Sequence, residues 1–299
     1  MTVEHHPVRG ILLMTAAVLC FALLDATAKH LSQTFPVPML VWARYTLHCL
    51  LMLAFLAPSM RWKLITTRHP VKQVVRALLL VGVTGFAMAA FRRLPLAETT
   101  ALLFITPLIV ALLAGPFLGE KLRPLHWGAS LCGFGGALLI ARPGGVFDLP
   151  GIVLILAAAA CYSVYQIQTR QLSPTENTLT MLFYTALIGT VSMTLGAPLY
   201  WGGPLPDWTD TLMIASLGIY GGTGHYLLIK AFRHAPATTL SPFLYVQLIW
   251  ATLLGWLVYD HWPDGTTLLG MAIIAASSIA LALTQRRAPS PSRAATIDA

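Results

Sequence analysis

The residues of this chain that could do chemistry are ionisable and aromatic side chains set inside long apolar runs. Asp25 follows Phe21 by four positions and precedes Lys29 by four, so the three share one helical face. A carboxylate there takes an ammonium group, a proton, or Lys29 itself as an intrahelical partner. Arg44 and His48 are also four apart. A guanidinium presents a planar fork that grips a carboxylate at two points; the competing reading makes Arg44 the ion partner of Asp25 or Glu98. Glu98 comes just after Pro95, in the first turn of a new helix, where a carboxylate complements the helix dipole or holds an ammonium ion or a proton. Later in the chain lie Tyr162, Gln166 and Arg170, again spaced by four, then His225, then Ser241 and Tyr245. The candidate binding set is therefore Phe21, Asp25, Arg44, His48, Glu98, Tyr162, Gln166, His225, Ser241 and Tyr245. Gly218 and Gly222 form a GxxxG spacing that reads as close helix contact. Trp250 reads as packing or lipid-facing.

None of these patterns breaks bonds. The sequence has no HExxH and no GxSxG elbow, and its histidines lack ligand spacing. Cys20, Cys49, Cys132 and Cys161 form no CxxC pair, so neither a zinc site nor a disulfide framework is expected, and no cofactor. The pattern is that of a small-molecule binder.

The elements that position these residues follow from composition. Of 299 residues, 57% are hydrophobic and only 10% charged, with mean hydropathy +0.72. A soluble domain carries about 25% charged residues; this chain cannot coat a water-facing surface. Apolar runs recur with polar breaks rich in Pro and Gly, predicting membrane spans near 9–31, 38–57, 75–93, 96–118, 125–142, 150–170, 178–199, 210–232, 237–258 and 266–285. The runs are continuous rather than alternating, which excludes a transmembrane barrel. The expected fold is all-α and integral to the membrane, with ten helices, an uncleaved first span and a disordered tail over 286–299.

The net charge of +8 is unevenly placed. With ten spans, 14 of the 19 basic residues fall on the side of both termini and 5 on the other. The positive-inside rule puts both termini in the cytoplasm. The basic excess thus marks topology and lipid contact, and nucleic acid is not an expected partner. Isolated charges do not form the ring pattern of a channel filter.

The chain also repeats itself. At an offset of 141, Gly10-Ile11 falls on Gly151-Ile152, Ala16-Ala17 on Ala157-Ala158, Cys20 on Cys161, and Ala90-Phe91-Arg92 on Ala231-Phe232-Arg233. After one deletion the offset is 140, and Leu108-Ile109 meets Leu248-Ile249, with Glu120 on Asp260. Five spans per half is an odd number, so the second half enters the membrane inverted. Such repeats build secondary transporters, which bind solute at the repeat interface and expose it alternately to each side. The expected division is 1–145 and 146–285, followed by the tail.

With Phe21–Lys29, Trp42-Ala43-Arg44-Tyr45, Ala97–Leu108 and Gly119-Glu120-Lys121 in the first half, and Ala237–Pro242 in the second, the chain resembles the EamA-type branch of the drug/metabolite transporter superfamily. That resemblance implies a gradient-linked or facilitative inner-membrane carrier of small metabolites, with a proton as the candidate coupling ion. It implies amino-acid export first, as in exporters of the YddG type, and uptake of S-adenosylmethionine- or riboflavin-like solutes as the alternative.

Overall fold

The computed structural model describes residues 7–118, 124–141, 148–172, 175–200, 202, 204–234 and 243–285. Ser241 and the tail 286–299 lie outside the described residues. Among those described there are eleven α-helices, one short 3-10 turn (Arg61–Leu64) and no strand. In chain order the helices are α1 (Pro7–Leu31), α2 (Val37–Met60), α3 (Pro70–Phe91), α4 (Leu96–Leu103), α5 (Thr106–Leu118) and α6 (Pro124–Ala141). There follow α7 (Leu149–Leu172), α8 (Thr178–Tyr200), α9 (Trp208–His234), α10 (Val246–Tyr259) and α11 (Gly265–Gln285).

Five helices, α1, α2, α3, α7 and α8, hold segments long and apolar enough to cross a membrane. Shorter apolar stretches occupy Leu96–Val110, Leu131–Ile140, Val246–Tyr259 and Gly265–Ser277. Large apolar side chains such as Leu12, Phe55, Leu131 and Leu195 point outward. In lipid that outward surface carries no penalty, because only the backbone must be satisfied internally, and helices do so.

Helix pairing follows the repeat. Exchanging the halves maps α1 onto α7, α2 onto α8, α3 onto α9, the α4–α5 pair onto α10, and α6 onto α11. Under that exchange, the α1–α9 packing becomes α7–α3, α2–α9 becomes α8–α3, and α1–α10 becomes α7–α5; all six contacts are present. The α2–α8 and α6–α11 contacts map onto themselves. A pseudo-two-fold relation between the halves produces this pairing.

The fourth span is broken. The chain turns at Phe104-Ile105 between α4 and α5, where Thr106 Oγ1 donates to the Leu103 carbonyl at 2.7 Å and caps the end of α4. A tight turn brings Leu108 N to the Ile105 carbonyl at 3.0 Å. A matching turn, 140 residues on, brings Leu248 N to the Tyr245 carbonyl at 3.0 Å. The two breaks face each other, with the Phe104 and Tyr245 rings 4.9 Å apart. Around them the largest buried cluster joins Ala97, Leu102 and Leu108 to Ile155 and Ala158 of α7, Ala251 of α10 and Ile274 of α11.

Candidate functional site

Two groups of polar side chains lie between the halves. The first centres on Arg44 of α2. Its Nη1 donates to Thr84 Oγ1 of α3 at 3.0 Å, and the same hydroxyl is 2.9 Å from the Tyr45 hydroxyl, which donates to the Leu80 carbonyl. Among the described residues no carboxylate stands within 4 Å of the guanidinium. Asp25 of α1 is within its Coulombic reach, as are His48, His225 and Tyr162. Asp25 Oδ2 accepts from Gln247 Nε2 at 3.0 Å. One carboxylate and one guanidinium thus face a common interior, each held by neutral partners and neither neutralised by direct contact.

Aromatic side chains complete this group. Phe21 meets His225 edge-on, with centroids 5.0 Å apart, and His48 lies parallel to His225 at 6.3 Å. Tyr162 stacks beside Tyr165 at 5.8 Å. Phe21, Asp25, Arg44, Tyr162, Gln166 and His225 all keep partial accessibility although they sit in mid-helix, while His48 is buried. Asp25, Tyr162 and His225 are also deep in the bundle, so their accessible atoms face internal space rather than lipid.

Glycines of α9 let these residues approach. A methyl at Gly224 would stand 2.6 Å from the Phe21 ring and one at Gly218 would stand 2.6 Å from Leu47. At Gly221 and Gly222 the nearest polar neighbours are Arg44 and His48. The GxxxG spacing read from sequence as close helix contact is the bare face against which α1 and α2 pack Phe21, Arg44, Leu47 and His48. Tyr245 stands apart from this cluster, at the break, against Phe104.

The second group holds Glu98. Its Oε1 is 2.9 Å from His261 Nε2, on the connection between α10 and α11, and Glu98 Oε2 is buried with no hydrogen-bond partner. Lys29 is within Coulombic reach of Glu98, but its Nζ donates to the Phe91 and Leu94 carbonyls at 2.8 and 2.7 Å. Lys29 therefore caps the end of α3, as a cation at a helix C-terminus should, rather than pairing with Asp25. Arg44 does not reach Glu98 either, since the partner of Glu98 is His261.

Thr84, Gln247, His261 and Arg76 were not singled out from sequence. Thr84 had a signal, because the offset of 141 places it on His225. Arg76 counted only as a charge at the start of the third span, yet its side chain is 1% exposed. It donates to the Tyr165 hydroxyl (3.0 Å), to Thr185 Oγ1 (2.9 Å) and to the Met181 carbonyl, tying α3 to α7 and α8. His261 had no signal, because it sits in a polar break. Two cavities lie away from both groups: about 320 Å³ beside Thr66, Arg68 and Glu176, and about 200 Å³ with apolar walls between α5 and α6.

Set beside known proteins, the chain matches the profile of the EamA-like transporter family twice, over residues 8–142 and 149–283. It is 30% identical over 287 residues to the riboflavin transporter of Vibrio cholerae, covering 93% of this chain and 94% of that protein. It is 26% identical to the S-adenosylmethionine uptake transporter of Rickettsia bellii, covering 89% and 90%. It is 28% identical to the pseudopaline exporter of Pseudomonas aeruginosa, covering 93% and 97%. A crystal structure at 23% identity superposes with a TM-score of 0.66 over 94% of this chain and 99% of that one, a likeness of fold.

Proposed function

This chain belongs to the EamA-like transporter family, and we propose that within it the chain is an alternating-access carrier for a small zwitterionic metabolite, an amino acid or a close relative. It is a membrane transporter and not an enzyme. The reading of substrate rests on one observation: Arg44 and Asp25 face the same interior without a direct ion pair. A carboxylate on the Arg44 fork and an ammonium on Asp25 would neutralise both charges at once. Charge-assisted bonds of that kind are about twice as strong as neutral ones. Phe21, His48, His225 and Tyr162 supply apolar and aromatic walls for the remainder of the solute.

In this reading ten spans cross the inner membrane as two inverted bundles, 1–145 and 146–285, with both termini and the tail in the cytoplasm. Gln166 adds a polar group from the second half. The direction is export, with a proton as the coupling ion.

A second reading is favoured by the relative at 30% identity and by the stacked rings: a larger, flat heteroaromatic solute of the riboflavin class, taken up rather than exported. Counterflow in proteoliposomes separates the two. Vesicles preloaded with an amino-acid panel, with riboflavin, or with S-adenosylmethionine are diluted into trace labelled solute. Exchange with amino acids that is abolished by Arg44→Gln and Asp25→Asn supports the first reading. Exchange with riboflavin alone overturns it.

A further inference from the structure

Glu98 and His261 belong to different halves of the repeat, yet they meet at 2.9 Å. Glu98 lies in the first turn of α4, and its side chain is 4% exposed. His261 is placed by the end of α10. Asp260 there adopts a left-handed backbone (φ 50), and His261 N returns to the Gly255 carbonyl at 3.0 Å, which ends the helix and turns the imidazole inward. The His261 side chain is 43% exposed. One partner therefore touches the surroundings of the bundle, and the other is sealed within it.

The sealed partner carries an unpaired atom. Glu98 Oε2 is buried without a donor, and an unsatisfied buried polar atom of this kind calls for a partner that the fold does not supply. The neighbouring charged and titratable groups are otherwise engaged. Lys29 of α1 is held by two carbonyls, and Tyr259 of α10 donates to the Ala26 carbonyl at 2.6 Å. Arg93 pairs with Asp148 at the start of α7, and Asp264 caps α11 through Thr267 N. Arg92 and Asp260 are exposed. None of these is placed to donate to Oε2.

The sequence repeat does not duplicate this pair. At the offset of 140, Glu98 falls on Thr238 and His261 falls on Lys121. The acid and the imidazole are thus a departure from the repeat in sequence. We propose that Glu98 and His261 form a proton-binding site, separate from the Arg44 cluster, whose occupancy couples a proton gradient to the docking of α4 against the α10–α11 connection. His261 exchanges a proton with the outer water and Glu98 stores it. Charging the pair changes the hydrogen bond that ties one half to the other.

This inference rests on the carrier reading above, but its first test does not need the solute. Trp262 follows His261 and meets Trp256 edge-on at 6.0 Å, so the full-length protein carries its own reporter. Tryptophan emission of the purified protein is titrated across about pH 5 to 8, the range in which an imidazole changes charge. A sigmoidal change is expected in the wild type and in Arg44→Gln, and its loss in Glu98→Gln and in His261→Gln. An unchanged titration in Glu98→Gln overturns the site. The second test uses riboflavin, or whichever solute the counterflow panel identifies. Glu98→Gln should keep counterflow and lose accumulation driven by a pH gradient. Loss of both with an unaltered titration overturns the coupling and leaves a structural contact. If no panel solute moves in the wild type, the carrier reading fails by itself, and the titration still decides the proton site.

Discussion

Arg44 is the residue on which the substrate reading turns. Lysine there keeps the charge but loses the planar fork. Arg44→Lys should weaken a carboxylate-bearing solute by about ten- to a hundredfold, the worth of one charge-assisted bond of about 1.5–3 kcal/mol. An amide analogue of the same solute should bind both proteins alike. Equal losses for acid and amide, measured by equilibrium binding, would remove the clamp. Arg76 makes a different forecast, because its guanidinium is spread over α7 and α8. Arg76→Met leaves the Met181 carbonyl and Tyr165 hydroxyl without their donor, at about 1–3 kcal/mol for a buried group left unsatisfied. The melting temperature in detergent should fall. Arg76→Lys should recover only part of it, since one ammonium cannot bridge both helices. Of this arrangement, the sequence marked Asp25, Arg44, His48 and His225 as polar residues inside long apolar runs, and the structure brings them near one another. It marked Glu98 in the same way, and could not foresee that His261, from a polar break in the other half, is its partner.

At the scale of elements, α6 and α11 cross glycine on glycine. A methyl on Gly136 would stand 2.8 Å from the Gly270 carbonyl, and one on Gly270 would stand 2.6 Å from the Gly136 carbonyl. Both obstacles are backbone and cannot rotate away. Gly270→Ala should therefore cost about 1–3 kcal/mol, the usual penalty of overpacking. Gly85→Ala on α3, where nothing lies within 4 Å, should instead be neutral or stabilise the helix by up to about 1 kcal/mol. Detergent melting of the pair checks both signs together. The helices themselves were readable from hydropathy, and the offset of 140 placed both breaks in register. What hydropathy missed is that the fourth span is two helices, since Thr106-Pro107 reads as continuous apolar chain until Thr106 is seen capping α4.

For the whole molecule, sidedness is the prediction that charge counting makes. Gln33 and Thr66 are both exposed, at opposite ends of the bundle. In a background without the four native cysteines, Gln33→Cys should react with an impermeant maleimide on intact cells. Thr66→Cys should react only after permeabilisation. The reverse pattern would invert both termini and the direction of export with them. Alternation adds a second outcome. A disulfide joining α1 to α4 at the Lys29 end should stop turnover and leave thiols near Arg76 open to reagents from the other side. Continued turnover in the crosslinked protein would exclude rocking of the halves.

The meeting of Phe104 with Tyr245 carries a consequence for how tightly the barrier holds. Each ring sits on a bend in its own half, so neither bend can flex without pressing on its twin. In the alternating-access reading proposed above, that contact would couple the two mouths, and a conformation open at both ends would require the rings to part. Any such moment would short-circuit the ion gradients that the rest of the cell maintains. Ring against ring would then act as a gasket between two gates, and the membrane's insulation would rest on how seldom it lifts.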